Sequence, residues 1–139
     1  MKRLSCFLLL SFLAGITLGQ AKTDPLAIKY YLVPAKDYQQ DLQPNFRAWI
    51  LVGAKRYDLK TTVSINTRAG EINPEIIYNK KLHRNEYWLK TWFAGGGTNF
   101  KAWISGSKVS NTASVLVYAQ DLDEQAPATK WRLVKAIKL

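Results

Sequence analysis

Apolar and polar residues alternate with a period of two through most of the chain beyond residue 27, which is the signature of half-buried β-strands. Residues 85–105 carry this pattern most densely. Tyr87, Leu89, Thr91 and Phe93 share one side of a predicted strand, and Trp88, Lys90 and Trp92 share the other. On a second predicted strand Phe100, Ala102 and Ile104 oppose Lys101, Trp103 and Ser105. Between them lies Gly95-Gly96-Gly97. This run is read as the tight reversal of a hairpin, because glycine reaches positive φ without steric cost.

The same period extends in both directions. Residues 28–33 form a strand ended by Pro34, and residues 34–45 form a polar connection with two prolines. In residues 46–53, Phe46, Ala48, Ile50 and Val52 make an apolar face opposite Arg47, Trp49 and Leu51. After a turn at Gly53, residues 57–66 set Tyr57, Leu59, Val63 and Ile65 against Asp58, Lys60, Thr62, Ser64 and Asn66, a strand with one wet face. Residues 72–78 read as a weaker strand. Pro74 has no amide hydrogen to donate, so this strand belongs at a sheet edge, open to pairing. A basic loop over 79–85, a strand over 113–119 and an acidic loop over 121–128 follow. In the closing strand, 131–139, Trp131, Leu133, Ile137 and Leu139 are set against Arg132, Val134 and Lys138.

About eight short strands and no helical period predict an all-β domain. The expected architecture is an antiparallel sandwich of two sheets, with a closed β-barrel as the alternative. In layout it resembles an immunoglobulin-type module; the resemblance is architectural and rests on no family motif. One internal echo stands out. Residues 45–50, Asn-Phe-Arg-Ala-Trp-Ile, recur at 99–104 as Asn-Phe-Lys-Ala-Trp-Ile. Either a duplication or convergence between strands of similar composition accounts for it.

The first residues change the picture of where the protein works. Lys2 and Arg3 precede a run over 4–18 that is apolar apart from Ser5, Ser11 and Thr17, and Gly19-Gln20-Ala21 follows as a small-x-small sequence. This is the pattern of a secretory signal peptide over residues 1–21, with cleavage after Ala21, or alternatively Gly19. The run is short for a membrane span of about 20 residues, and no other stretch is apolar enough to cross. Residues 22–139 are then a single exported domain, periplasmic or secreted. No Asn-x-Ser/Thr sequon is present, which favours a bacterial source. The only cysteine, Cys6, falls inside the leader, so the mature domain is held by core packing without a disulfide. Without Lys2 and Arg3 the chain keeps 18 basic and 10 acidic residues, a formal charge of +8. Such a domain is drawn to acidic glycans, anionic envelope surfaces or acidic proteins.

Candidate chemistry is sparse. The single histidine, His83, sits in the basic loop, and the domain lacks the His/Cys set of a common metal site. The acids of the 121–128 loop, Asp121, Asp123 and Glu124, do not fit a twelve-residue calcium loop, since Ala126 and Arg132 stand at its sixth and twelfth positions. No Gly-x-Ser-x-Gly accompanies the histidine. No catalytic residue, metal or cofactor is expected. Export argues against the nucleic-acid binding that charge and aromatics alone would suit.

What remains is a set of aromatic and basic residues that share strand faces: Arg47 and Trp49; Trp88, Lys90 and Trp92; Lys101 and Trp103. Indole rings beside cations stack on sugar rings, pair with acidic groups, or anchor a protein interface. The expected function is a non-enzymatic binding module of the cell envelope that recognises a protein partner or an anionic glycan. The alternatives are a structural or assembly subunit of an envelope complex and, more remotely, a hydrolase working through carboxylates alone. The leader assignment predicts that the exported protein begins at Lys22; N-terminal sequencing or intact mass of protein recovered from the periplasm or medium checks this, and retention of residues 1–21 overturns it.

Overall fold

A computed structural model of the chain describes residues 27–36, 45–65, 67–91, 96–107, 109–123, 125–127 and 129–139. The predicted leader, residues 1–21, lies outside the described residues. Among the described residues there are nine strands: β1 (Ile28–Pro34), β2 (Asn45–Val52), β3 (Lys55–Ser64), β4 (Gly70–Ile72), β5 (Glu75–Asn79), β6 (Arg84–Leu89), β7 (Gly96–Ser105), β8 (Ser114–Asp123) and β9 (Arg132–Lys138). They form two antiparallel sheets, one of four strands in the order β3-β2-β1-β4 and one of five in the order β5-β6-β7-β8-β9. The fold is a two-sheet sandwich. No helix among the described residues is long and apolar enough to cross a membrane.

The inner faces follow the alternation in the sequence. Phe46, Ala48, Ile50 and Val52 of β2 meet Phe100 and Ala102 of β7 and Val115, Val117 and Ala119 of β8 in one buried core. Fully burying a side chain such as Phe100 contributes roughly 1.5–3 kcal/mol. Tyr30 of β1 is wholly buried. Its hydroxyl donates to the Tyr87 carbonyl of β6 at 2.7 Å, a bond that crosses between the sheets. Burial pushes the Tyr30 phenol well above its ordinary pKa, so it stays a donor at any physiological pH. The two echo strands occupy equivalent places: β2 lies between β1 and β3, and β7 between β6 and β8. Both turn Phe and Ala inward and Arg or Lys outward.

Three local expectations need correction. Residues 72–78 are not one edge strand. They split into β4, which pairs with β1, and β5, which pairs with β6. Pro74 stands in the two-residue link where the chain leaves one sheet for the other, a place that asks for no amide donor. The split is why nine strands appear where about eight were expected.

The face assigned to 131–139 is also divided. The register of β8 with β9 runs Val117↔Lys135 and then Tyr118↔Leu133, leaving Val134 as an extra residue. A single inserted residue exchanges the two faces of everything beyond it. Ile137 and Leu139 therefore face the core, whereas Leu133 pairs with Tyr118 on the outer side. By contrast, β3 carries two extra residues, Leu59 and Lys60, against β2. An even insertion keeps the faces in step, so Tyr57, Leu59 and Val63 all stay inward as the alternation predicts.

The glycine run works differently from expectation. Gly96 and Gly97 already belong to β7, paired with Asp123 and Leu122, and Gly95 lies outside the described residues. Neither adopts positive φ. A Cβ on Gly97 would stand 2.1 Å from the Thr91 carbonyl oxygen. That close approach is locked by the Thr98 amide, which donates to Thr91 Oγ1 at 2.7 Å, and by the Thr91 amide, which donates to Asn99 Oδ1 at 3.1 Å. Positive φ is needed instead at Gly53, φ 61°, in the β2–β3 turn. Gly97→Ala is predicted to cost about 1–3 kcal/mol or more, because the clash is with backbone that cannot step aside. Urea unfolding of the variant against wild type measures this, and an unchanged midpoint would refute the close-approach argument.

Candidate functional site

The sandwich distributes the predicted aromatic and basic residues over two outer faces. Arg47 and Trp49 project from β2 in the four-stranded sheet, and Trp88, Lys101 and Trp103 project from β6 and β7 in the five-stranded sheet. Lys90 follows β6 directly and reaches the same face as Trp88. Trp92 lies outside the described residues. The two groups are not brought together, because each points away from the shared core.

On the four-stranded sheet Arg47, Arg56 and Lys29 are already engaged. Arg47 Nε donates to both Asp58 carboxylate oxygens, at 3.1 and 2.9 Å, and Nη2 adds a third contact. The hydrogen bond from Arg47 holds the Asp58 carboxyl below its usual range against the opposing effect of burial. Arg56 lies over the Tyr31 ring at 3.9 Å, and Lys29 pairs with Glu71 at 3.3 Å. Trp49 sits among these with its indole nitrogen buried and without a hydrogen-bond partner.

The five-stranded sheet carries a denser cluster. Trp88 pairs in register with Lys101 of β7, and Lys101 pairs with Tyr118 of β8. Trp131, just before β9, meets Trp88 edge to face at 5.2 Å. The Lys101 ammonium lies 4.2 Å from the Trp131 ring centre, 5.6 Å from that of Trp88 and 5.7 Å from that of Trp103. Three indoles thus surround one cation. Lys90 lies 5.6 Å from the Trp88 ring on its own account and pairs with Glu75 at 3.1 Å. Trp103 stacks on Tyr118 at 4.7 Å and 11°, and the Arg84 guanidinium lies 3.6 Å over its ring. Covered from both neighbouring strands, Trp103 is only 9% exposed although it is on the outer face.

Beneath the cluster is Glu86, 3% exposed. Arg84 Nε donates to Oε2 at 2.9 Å, Trp88 Nε1 donates to Oε1 at 3.4 Å, and Asn79 Nδ2 donates to Oε2 at 3.4 Å. Burial by itself raises the Glu86 pKa. The Arg84 hydrogen bond and the nearby charge of Lys101 outweigh it, so the carboxyl titrates below its ordinary value. Lys101 is pulled down, first by desolvation and also by Arg84, with Glu86 opposing. No carboxylate among the described residues lies within salt-bridge distance of the Lys101 ammonium.

Sequence reasoning missed Arg84, Glu86 and Tyr118 here, and it placed Trp131 on the wrong side of its strand. Arg84 was read as part of the basic loop and Glu86, inside the 85–105 stretch, was assigned to neither face, yet their i, i+2 spacing with Trp88 already puts them on one strand face. His83, read as a solvated loop residue, is exposed in the β5–β6 turn with φ 50°. Asp121 and Asp123 belong to β8, and among the described residues no group of three or more His, Cys, Asp or Glu could hold a metal ion.

No protein-family model matches the chain, and neither a curated protein nor a solved structure matches it.

Because the Glu86 pKa is lower in the folded chain than in the unfolded one, its ionisation stabilises the fold at neutral pH, and this contribution fades as pH falls through the folded value. Glu86→Gln is predicted to lower stability at neutral pH by about 1–3 kcal/mol, since it leaves Arg84 without its charged partner. The difference narrows as pH falls past the ordinary carboxylate value and through the lower folded one, where the variant and wild type converge. Thermal unfolding of both proteins across this pH range checks the prediction; a constant difference at every pH would refute it.

Proposed function

We propose that the chain is an exported, non-enzymatic binding module of the bacterial cell envelope, acting in the periplasm or outside the cell. Its two-sheet scaffold, read as immunoglobulin-like in layout, presents the outer face of the five-stranded sheet to a protein partner or an anionic glycan. The observation that carries this reading is the partly exposed Trp88 ring with two ammonium groups, Lys90 and Lys101, each 5.6 Å from its centre. Of the two partner classes the anionic glycan fits this arrangement more closely. The C–H face of a sugar ring stacks on a flat indole, and a carboxylate or sulfate at the ring's edge falls near the cations that flank it. The excess of basic residues adds long-range attraction to such a polymer.

The second reading is a structural or assembly subunit of an envelope complex. It is supported by Ile76 and Tyr78 of β5, which are 55% and 54% exposed on an edge strand, where isolated apolar exposure is ordinary but adjacent exposure marks contact.

Titration calorimetry with a polyuronate and with neutral dextran tests the glycan reading. Wild type is expected to bind the polyuronate and not the dextran, with affinity that falls as salt rises. Trp88→Ala and Lys101→Gln are each expected to weaken binding at least tenfold, about 1.4 kcal/mol. Binding that survives both substitutions removes this surface as the site. A protein captured from the envelope by wild type and lost with Trp88→Ala would assign the same surface to the protein class.

A further inference from the structure

A two-sheet sandwich has four edge strands, here β3 and β4 in one sheet and β5 and β9 in the other. Three of them are built against pairing. β3 is interrupted by the two extra residues Leu59 and Lys60, with Lys60 at φ 52°. β4 has only three residues and carries Glu71. β9 has its extra residue at Val134 and sets Lys135 opposite Val117, which is buried in the core. Bulges, short length and inward charges are the devices that stop an edge from adding another strand.

β5 has none of these. Its five residues, Glu-Ile-Ile-Tyr-Asn, pair with β6 in unbroken register. It holds no proline or lysine, and its one charge, Glu75, is at its first position. Among the described residues it has no neighbour on its other side. Ile76 pairs with the buried Tyr87 and so takes the core side of its sheet. Above it the four-stranded sheet ends in the short β4, and Ile76 and Tyr78 remain 55% and 54% exposed.

We infer that β5 pairs antiparallel with β5 of a second copy of this chain, about a two-fold axis midway between the two Ile77 residues and perpendicular to the sheet. The sequence of the strand is self-complementary in that register. Ile76 of each copy lies opposite the other's Tyr78, on the same face, so the exposed apolar pair of one covers that of the other. Glu75 lies opposite Asn79, next to the exposed Lys80 and Lys81 of the turn that follows. The acidic start of one strand thus meets the basic end of its mate. Parallel pairing would instead set Glu75 beside Glu75. A register two residues away in either direction leaves part of the strand unmatched and puts Tyr78 opposite Pro74, or Ile76 opposite Lys80. The two five-stranded sheets join into one of ten. The contact is small beside the ~1,200–2,000 Å² of a standard interface, so the association is weak and depends on concentration.

Sedimentation equilibrium of the exported chain, from low to high micromolar concentration, reads the dimer directly. Ile76→Lys and Tyr78→Lys, both at exposed positions, are expected to leave the chain monomeric while its melting temperature at low concentration stays unchanged. A second measurement fixes the register. In the exported chain, which on this assignment carries no other cysteine, Ile77→Cys is expected to oxidise to a covalent dimer, because directly opposed antiparallel positions have Cα atoms about 4.5–5.5 Å apart, inside the disulfide range of about 4.4–6.8 Å. Val109→Cys, on a fully exposed residue outside β5, is the control for random collision. A wild type that stays monomeric throughout, a dimer that persists with both lysine substitutions, or an Ile77→Cys chain that crosslinks no faster than the control would each overturn the pairing. The outcome is separable from polyuronate binding: Trp88→Ala is expected to remain dimeric, and Ile76→Lys is expected to keep its affinity for a single short oligouronate.

Discussion

Each residue on a strand belongs to one of two faces, and a shift of one residue exchanges them for the rest of that strand. This constraint governs both the core and the surface here. β2 and β7 hold an unbroken alternation, so Phe46, Ala48, Phe100 and Ala102 are committed to the core, and their cations and indoles are committed to the two outer faces. The two insertions obey the same rule with opposite results. The even insertion in β3 leaves the faces in step. The odd one in β9 carries Ile137 and Leu139 inward while leaving Leu133 outside. Because of that single residue, the segment ahead of β9 brings Trp131 to the ring of Trp88.

The outer cluster is organised from below by a carboxylate with almost no access to water. A buried charge is costly unless it is paired and hydrogen-bonded. Glu86 meets this need through Arg84, Trp88 and Asn79, and each partner is thereby fixed in place. Arg84 then lies over the Trp103 ring, and Trp88 is held with its ring beside Trp131 and Lys101. Lys101 lies among ring faces with Glu86 nearby but, among the described residues, no carboxylate within salt-bridge distance. The face of the four-stranded sheet has the same residue types but a different balance. There Asp58 takes Arg47 as a forked pair, and Arg56 and Lys29 are engaged by Tyr31 and Glu71.

Much of the fold could be read from the chain because β-strands with one wet face write their period plainly. The all-β class, the sandwich expected ahead of a barrel, and the core faces of β2 and β7 were read from that period; the central places of these two strands were not. The misreadings have identifiable physical causes. Alternation says nothing about where a bulge falls, so Trp131 was grouped with Ile137. A proline that excludes itself from a ladder fits equally well at an edge or in a link between sheets, and Pro74 takes the link. Glycines signal either positive φ or close approach, and only the position of the Thr91 backbone shows that Gly97 serves the second need. For the surface, residue types were visible but their assembly was not. Nothing local shows that residues 47 and 49 face away from residues 88, 101 and 103. Nor does it show that Glu86, one acid among several, is the one under the rings.

The cluster and the open edge are neighbours. Glu75 of β5 pairs in register with Trp88 and bonds to Lys90, so the strand that offers its edge also forms the near border of the aromatic surface. An axis perpendicular to the sheet keeps the outer faces of both copies on the same side. Pairing through β5 would therefore set two Trp88–Lys101 clusters side by side, separated by only a few strand widths of about 4.8 Å each. A polymer that repeats its acidic group along its length could then engage both at once. The second engagement becomes intramolecular, and overall avidity can exceed that of one cluster by orders of magnitude without any new contact. A weak edge contact and a modest single site, neither sufficient alone, would reinforce each other on an extended polyanion: the polymer holds two chains close enough for β5 to pair, and the paired strands fix the spacing at which the polymer is held.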